Sequence, residues 1–272
     1  MATLSVCLET VFVDLPPLER IEKIRACGYG AVEFWHPEGT WDGRRIRTDL
    51  PKDPRALREA CLRHGVALAD FAFHAWDGSL GGCPVRREDR ARFLDQVRRM
   101  VSFARESGAA QGIVLSGTVD SGLSRSEMRR NLEEALAEAA ALAGPQGVTL
   151  LLEPLNAIVD HPGYYLTSTR EGLEIIRSVG SPHLKLLYDV YHMQIMEGNL
   201  LGTIEAAIDR IGHFHAAGVP GRGELFRGEI DYRNVLRRIE ALGYQGAFGL
   251  EYFPAMQDHA ESLRKTLEYL RG

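Results

Sequence analysis

The sequence predicts an α/β protein of the closed (β/α)8 kind, a TIM barrel, and three observations carry that expectation. Short apolar runs alternate with amphipathic helical stretches from one end of the chain to the other, the pattern of a parallel sheet with crossover helices. Eight such pairs fit into the 272 residues, a length that suits eight units closing on themselves. No Gly-x-Gly-x-x-Gly turn follows the first strand, and no shift in composition marks a second folding unit. An open doubly wound sheet is therefore disfavoured, and residues 1–272 are expected to form a single barrel domain.

The first strand, Leu4 to Glu9, leads through Leu15-Pro16-Pro17 into a helix around Leu18 to Cys27. Leu18, Ile21, Ile24 and Arg25 are spaced there for one buried face. Gly28 and Gly30 end that helix, and Ala31 to Trp35 is the second strand. A long polar loop rich in Gly, Trp and Arg precedes a helix from about Pro54 to His64, with Gly65 as the residue just past its end. The third strand, Val66 to Phe73, empties into His74-Ala75-Trp76-Asp77-Gly78, and a helix from about Arg87 to Glu106 follows. Gly112 to Ser116 is the fourth strand. Ser124 and Glu127 have the spacing of a capping box, opening an alanine-rich helix that Gly144-Pro145 stops.

The fifth strand opens at Thr149 and carries Glu153 at its carboxyl end, before Pro154, which has no N–H to continue a ladder. Three consecutive leucines suit a strand covered on both faces. The loop Asn156 to Tyr165 leads to a helix near Ser168 to Val179. Leu184 to Asp189 is the sixth strand, again ending in a carboxylate, and a helix near Leu200 to Arg210 precedes the seventh, Ile211 to Ala216. A glycine-rich loop, Gly218 to Gly228, separates it from the helix Tyr232 to Leu242. The eighth strand, Ala247 to Tyr252, carries Glu251 where the fifth carries Glu153, and the helix Asp258 to Leu270 follows it.

Net charge is -5 with a pI near 6.0, and lysine is scarce relative to arginine, so the electrostatic footprint of a nucleic-acid binder is missing. No segment approaches the ~20 apolar residues of a membrane span. The start reads directly as a strand rather than a signal peptide, which makes the cytoplasm the expected location. Cys7, Cys27, Cys61 and Cys83 form no CxxC pair and are expected to be buried, reduced thiols.

Active sites of such barrels lie at the carboxyl ends of the strands. That rule collects Glu9, Trp35, His36, His74, Trp76, Glu153, Asn156, Asp189, His192, His215 and Glu251. Among them Glu153, Asp189, His215 and Glu251 end four consecutive strands, so three oxygen donors and one imidazole can converge. An oxygen-rich set with one nitrogen suits Mg²⁺, Mn²⁺ or Co²⁺ better than a structural zinc. Moving a proton next to a carbonyl needs a base and something to stabilise the enediolate oxygen, and two glutamates with a divalent cation supply both. Trp35, His36, His74 and Trp76 are candidates to wall the substrate, Asn156 to contact it, and Arg222 offers a planar fork for a carboxylate or paired hydroxyls. His213 shares a strand face with His215 but lies deeper, as a core histidine would, and Glu229 reads as a cap for the Tyr232 helix. No phosphate-binding glycine loop follows the seventh or eighth strand, so an unphosphorylated substrate is expected.

Several long motifs in order give the chain a resemblance to a known family. These are Leu152-Glu153-Pro154-Leu155-Asn156, the run from Tyr188 through Asp189 and His192 to Gly198, Val219-Pro220-Gly221-Arg222, Gly228-Glu229-Ile230 with Tyr232, and Gly249-Leu250-Glu251-Tyr252. Over nearly its whole length the sequence resembles the xylose-isomerase-like TIM barrels, and within them the hydroxypyruvate isomerase group. The resemblance implies that Glu153, Asp189, His215 and Glu251 bind a divalent metal, that Glu153 and Glu251 also move protons, and that His192 and Arg222 contact substrate oxygens. It implies conversion of hydroxypyruvate to tartronate semialdehyde, or turnover of a related 2-oxo sugar acid, by a dimer or tetramer. In hydroxypyruvate isomerases the seventh-strand position is usually glutamine. His215 is instead what related ketose 3-epimerases carry, so epimerisation of a free sugar stays the alternative. From other classes, an endonuclease-IV-like phosphodiesterase would need more histidines and a basic face, and a non-catalytic sugar-binding barrel would bind without exchanging protons.

Overall fold

In the computed structural model, which describes residues 1–272, the eight expected barrel strands are present. They are β1 Thr3–Cys7, β2 Ala31–Phe34, β3 Ala67–Phe71, β4 Gln111–Val114, β5 Thr149–Leu152, β6 Leu184–Asp189, β7 Ile211–Ala216 and β8 Ala247–Leu250. All pair in parallel, in the order β3-β2-β1-β8-β7-β6-β5-β4. The two ends of that order meet at a thin seam, where Ala72 bridges Ile113 in parallel and Phe73 N–H donates to the Ile113 carbonyl at 2.9 Å. Leu150, Leu151 and Leu152 are fully buried, as expected for a strand with the barrel interior on one side and helices on the other.

The helices are α1 Pro17–Ala26, α2 Pro54–His64, α3 Arg90–Ser107, α4 Arg125–Ala143, α5 Thr169–Val179, α6 Val190–Met196, α7 Leu200–Ala207, α8 Tyr232–Ala241 and α9 His259–Arg271. Their ends follow local chemistry. Asp53 accepts the Ala56 N–H at the start of α2, and Gly65 ends it at φ 62°, in the left-handed region open to glycine. Ser124 and Glu127 form the capping box of α4.

The structure corrects four local expectations. The buried face of α1 is Pro17, Arg20, Ile21 and Ile24, while Leu18 and Arg25 point outward. Arg20 is drawn in because its guanidinium donates to the carbonyls of Leu8, Val13 and Leu15 in the chain that follows β1, and to that of Trp41, at 2.8–3.1 Å, so that buried backbone acceptors are satisfied. The cap of α8 is Asp231, which accepts from Asn234 N–H, and Glu229 instead accepts from Gln194 at 3.0 Å. The polar loop after β2 contains an antiparallel ribbon, Thr40–Trp41 with Ile46–Arg47. Helix α6 starts on the residue after β6, with no Gly or Pro between them to announce the change. Asp189 makes that junction, its side chain accepting from Tyr191 N–H and His192 N–H. All four cysteines are buried and unpaired, and no helix is long and apolar enough to cross a membrane.

Candidate active site

The carboxyl ends of β5 to β8 deliver their side chains to one place. Glu153 follows β5 with its N–H on the Val114 carbonyl at 3.2 Å, and Glu251 follows β8 with its N–H on Ala216 at 3.0 Å. Asp189 closes β6 in register with His215 of β7, and His215 is in register with Gly249 of β8. His215 Nδ1 lies 3.6 Å from Glu153 Oε1 and 3.8 Å from Glu251 Oε2. Asp189, His215 and Glu251 present donor atoms within 4.8 Å of one another, as do Glu153, Asp189 and His192. None of Glu153, Asp189, His215 and Glu251 exceeds 8% exposure.

These groups have unequal surroundings. Burial pushes Asp189 up to about 7, with His215 opposing the rise. Burial also raises Glu153, against the attraction of His215. Glu251 is desolvated too, but the Arg222 guanidinium and His215 outweigh burial and hold it below the ordinary carboxylate value. Arg222 Nη2 donates to Glu251 Oε2, and Trp35 Nε1–H donates to its other oxygen, each at 2.5 Å. Glu251 is therefore an ionised, clamped carboxylate, whereas Glu153 is desolvated and less firmly paired.

The remaining expected residues divide into two groups. His192 and Asn156 belong to the mouth. Asn156 N–H and its side-chain amide approach His192 Nδ1 at 3.3 and 2.6 Å, which leaves Nε2 with the proton of the neutral ring, 3.4 Å from Asp189 Oδ2. Burial and Arg222 lower the His192 pKa well below normal. Arg222 and Trp35 reach the same place through Glu251, with the Arg222 guanidinium also over the Tyr191 ring. Trp76 packs edge-on to His161. His36 is half-buried, its Nδ1 3.4 Å from the Ala72 carbonyl. His74 is committed elsewhere: fully buried against Phe93, it accepts the Leu115 N–H at 2.9 Å and so stitches the β3–β4 seam. Glu9 is likewise not an open carboxylate of the mouth. Its oxygens take Lys52 Nζ at 2.7 Å and Trp35 N–H at 3.0 Å.

Sequence reasoning passed over several contributors. Lys52 lies in the polar loop, yet its ammonium is buried between Glu9 and the carbonyls of His36 and Gly39. Asp160 accepts from Asn156 at 2.6 Å and from Tyr191 Oη at 2.8 Å, bracing the loop after β5. Beneath the mouth, Glu33 and Asp70 surround His213, which stands 3.2 and 3.1 Å from their oxygens. Burial drives Asp70 up to about 6. A charged residue inside each of the apolar stretches Ala31–Phe34 and Ala67–Phe71 was the signal for this layer.

The donor set fits a divalent cation. Glu153, Asp189 and Glu251 face one another with Arg222 as the guanidinium among them, and burial raises Glu153 and Asp189, the response of carboxyls short of counter-charge. Neither ring nitrogen of His215 makes a well-formed hydrogen bond, Nε2 having one carboxylate oxygen at 3.3 Å and Nδ1 only longer approaches at 3.6 and 3.8 Å, an expensive condition for a buried polar group. A cation taking Nδ1 and the carboxylates would relieve both.

A model of the family described as xylose isomerase-like TIM barrel matches residues 21–271. The sequence is 35% identical over 254 residues to hydroxypyruvate isomerase of Escherichia coli K12, covering 93% of this chain and 94% of that protein. It is 36% identical over 238 residues to 2-oxo-tetronate isomerase of Cupriavidus necator, covering 87% of each. Among solved structures, AP endonuclease, family 2 from Brucella melitensis superposes with a TM-score of 0.88 at 28% identity, over 99% of both chains.

Proposed function

The chain belongs to the xylose isomerase-like TIM barrel family, and on that premise we propose that it is a divalent-metal-dependent isomerase of small hydroxy-carbonyl compounds. The substrate class is an unphosphorylated hydroxy-keto acid, hydroxypyruvate or a related 2-oxo sugar acid, in line with the names of its relatives. The observation that carries this reading is the convergence of Glu153 and Glu251 on His215 at 3.6 and 3.8 Å, with Asp189 beside them.

Each side chain then has a task. Glu153, Asp189, His215 and Glu251 would hold Mg²⁺, Mn²⁺ or Co²⁺, whose contribution is Lewis-acid polarisation of the substrate carbonyl and its neighbouring hydroxyl. Glu251, kept ionised by Arg222 and aimed by Trp35, is the group prepared to take a proton from the carbon next to the carbonyl. Glu153, whose protonated form burial favours, is placed to return one. The Arg222 fork has a further N–H face for a substrate carboxylate, and His192 Nε2–H is a donor for a substrate oxygen. Trp35 packs against Trp41 and Phe253, with ring centroids 6.1 and 6.3 Å away, as an aromatic wall on one side of the mouth.

Removing the metal tests this directly. Dialysis against a chelator is expected to abolish isomerisation of hydroxypyruvate, and Mg²⁺ or Mn²⁺ to restore it, with the circular dichroism spectrum unchanged throughout. Full activity in protein shown by elemental analysis to be metal-free would remove the cation from the account.

A further inference from the structure

The residues below the mouth are arranged around His215 in a way that the proposed chemistry has not yet used. The two ring nitrogens of His215 face different partners. Nδ1 faces Glu153 and Glu251 in the mouth, at 3.6 and 3.8 Å, and Nε2 faces Glu33 Oε1 below, at 3.3 Å. Only one of these nitrogens can be a lone-pair donor in the neutral ring, and which one is decided by what holds the other's proton.

Glu33 is equipped for that choice. Its Oε2 accepts from Ser5 Oγ at 2.5 Å and lies 3.2 Å from His213 Nε2, whereas its Oε1 is buried and has no hydrogen-bond partner. His213 is in turn 3.1 Å from Asp70 Oδ2. One oxygen of Glu33 is thus held by Ser5 with His213 close beside it, and the free one is aimed at His215. The approach is built into the sheet. Glu33 is on β2 and His215 on β7, with β1 and β8 between them, so the two side chains meet only by crossing over the residues in between. Those residues are Ser5 and Gly249, paired with each other in register. A Cβ at Gly249 would run into both Glu33 carboxylate oxygens and the His215 ring.

We propose that Glu33 is a positioning residue for His215: its carboxylate keeps the proton on Nε2 and leaves Nδ1, the nitrogen in the mouth, as the free donor. Ser5 holds Glu33 in that pose, and Gly249 leaves the space for it. This rests on the metal-binding reading of the mouth, but the position of the His215 proton can be read without any metal.

The experiment uses ¹⁵N-histidine-labelled protein, with His215 assigned by its loss in His215→Gln. In metal-free wild type at neutral pH, long-range ¹H–¹⁵N correlation is expected to show Nε2 protonated, whatever the state of Nδ1. In Glu33→Gln a fraction of His215 should carry its proton on Nδ1 alone. Co²⁺ affinity, followed by its visible absorption, should fall by about 10–100-fold, the usual loss when the partner of a ligating histidine is removed. Ser5→Ala, a milder change that frees Glu33 without deleting it, should shift both readouts in the same direction by less, and it carries the comparison if Glu33→Gln does not fold. A bare Nε2 in wild type would overturn the proposal, as would Co²⁺ affinity unchanged in the folded variants. If wild type takes up no Co²⁺ at all, the metal reading of the mouth fails, and the ¹⁵N spectrum still decides the role of Glu33.

Discussion

Replacing Glu251 or Glu153 by glutamine is expected to slow conversion of substrate to product by ~10²–10⁴-fold, the usual contribution of a positioned acid or base, while the protein stays folded. The amide keeps the shape of each side chain and removes its ability to take a proton. Both residues also belong to the proposed cation site, so the variants should be assayed at saturating metal. Under those conditions the two should differ in kind. Glu251→Gln replaces the carboxylate that Arg222 and Trp35 hold, so the initial removal of the proton should be lost and little deuterium should enter the substrate. Glu153→Gln keeps that clamp and should block chiefly the return of a proton. Retention of full conversion by both variants would remove them from the chemistry.

The second large effect concerns stability. Lys52→Met is expected to destabilise the protein by about 3–5 kcal/mol, because removing one partner of a buried ion pair strands the other charge. The Lys52 and Glu9 side chains are 0% and 1% exposed, at 2.7 Å from each other. The ammonium also donates to the carbonyls of His36 and Gly39 at 2.9 and 2.6 Å, so its loss would loosen the stretch that carries Trp35 and the antiparallel ribbon behind it. Urea denaturation measures the cost. The double variant Glu9→Gln with Lys52→Met leaves no unpaired charge and should recover a good part of it. If the double variant were as unstable as the single one, the carbonyl contacts rather than the stranded carboxylate would be the main term.

How far the sequence carried depended on where information was local. Strands such as Thr149–Leu152, with Glu153 and Pro154 just beyond, declare both their burial and their carboxyl end, and the rule that barrel mouths collect strand ends was enough to bring Glu153, Asp189, His215 and Glu251 together. The same rule overcounted at His74 and Glu9. Position along a strand does not reveal that an imidazole is needed at the β3–β4 seam, or that a lysine 43 residues further on (from position 9 to position 52) comes back to cover a carboxylate. Periodicity was ambiguous where a charged side chain satisfies backbone groups, as with Arg20 in α1. Helix α6 was missed because strand and helix run together without a breaking residue, their boundary being set by Asp189 accepting backbone N–H groups. The layer of Glu33, Asp70 and His213 was legible as charge inside apolar strands, but its partners come from strands far apart in the chain.

The central claim is that two glutamates at this mouth move a proton on a carbon beside a carbonyl. Wild-type protein with Mg²⁺ or Mn²⁺, incubated in D₂O with hydroxypyruvate and followed by NMR, tests it most directly. The expected result is formation of tartronate semialdehyde with deuterium on carbon in the substrate, the product or both, and no such label in the Glu251→Gln variant. Given free ketoses instead, deuterium confined to C3 with inversion there would identify an epimerase on the same two carboxylates. Binding of these compounds with no isomerisation and no deuterium on any carbon would contradict the account.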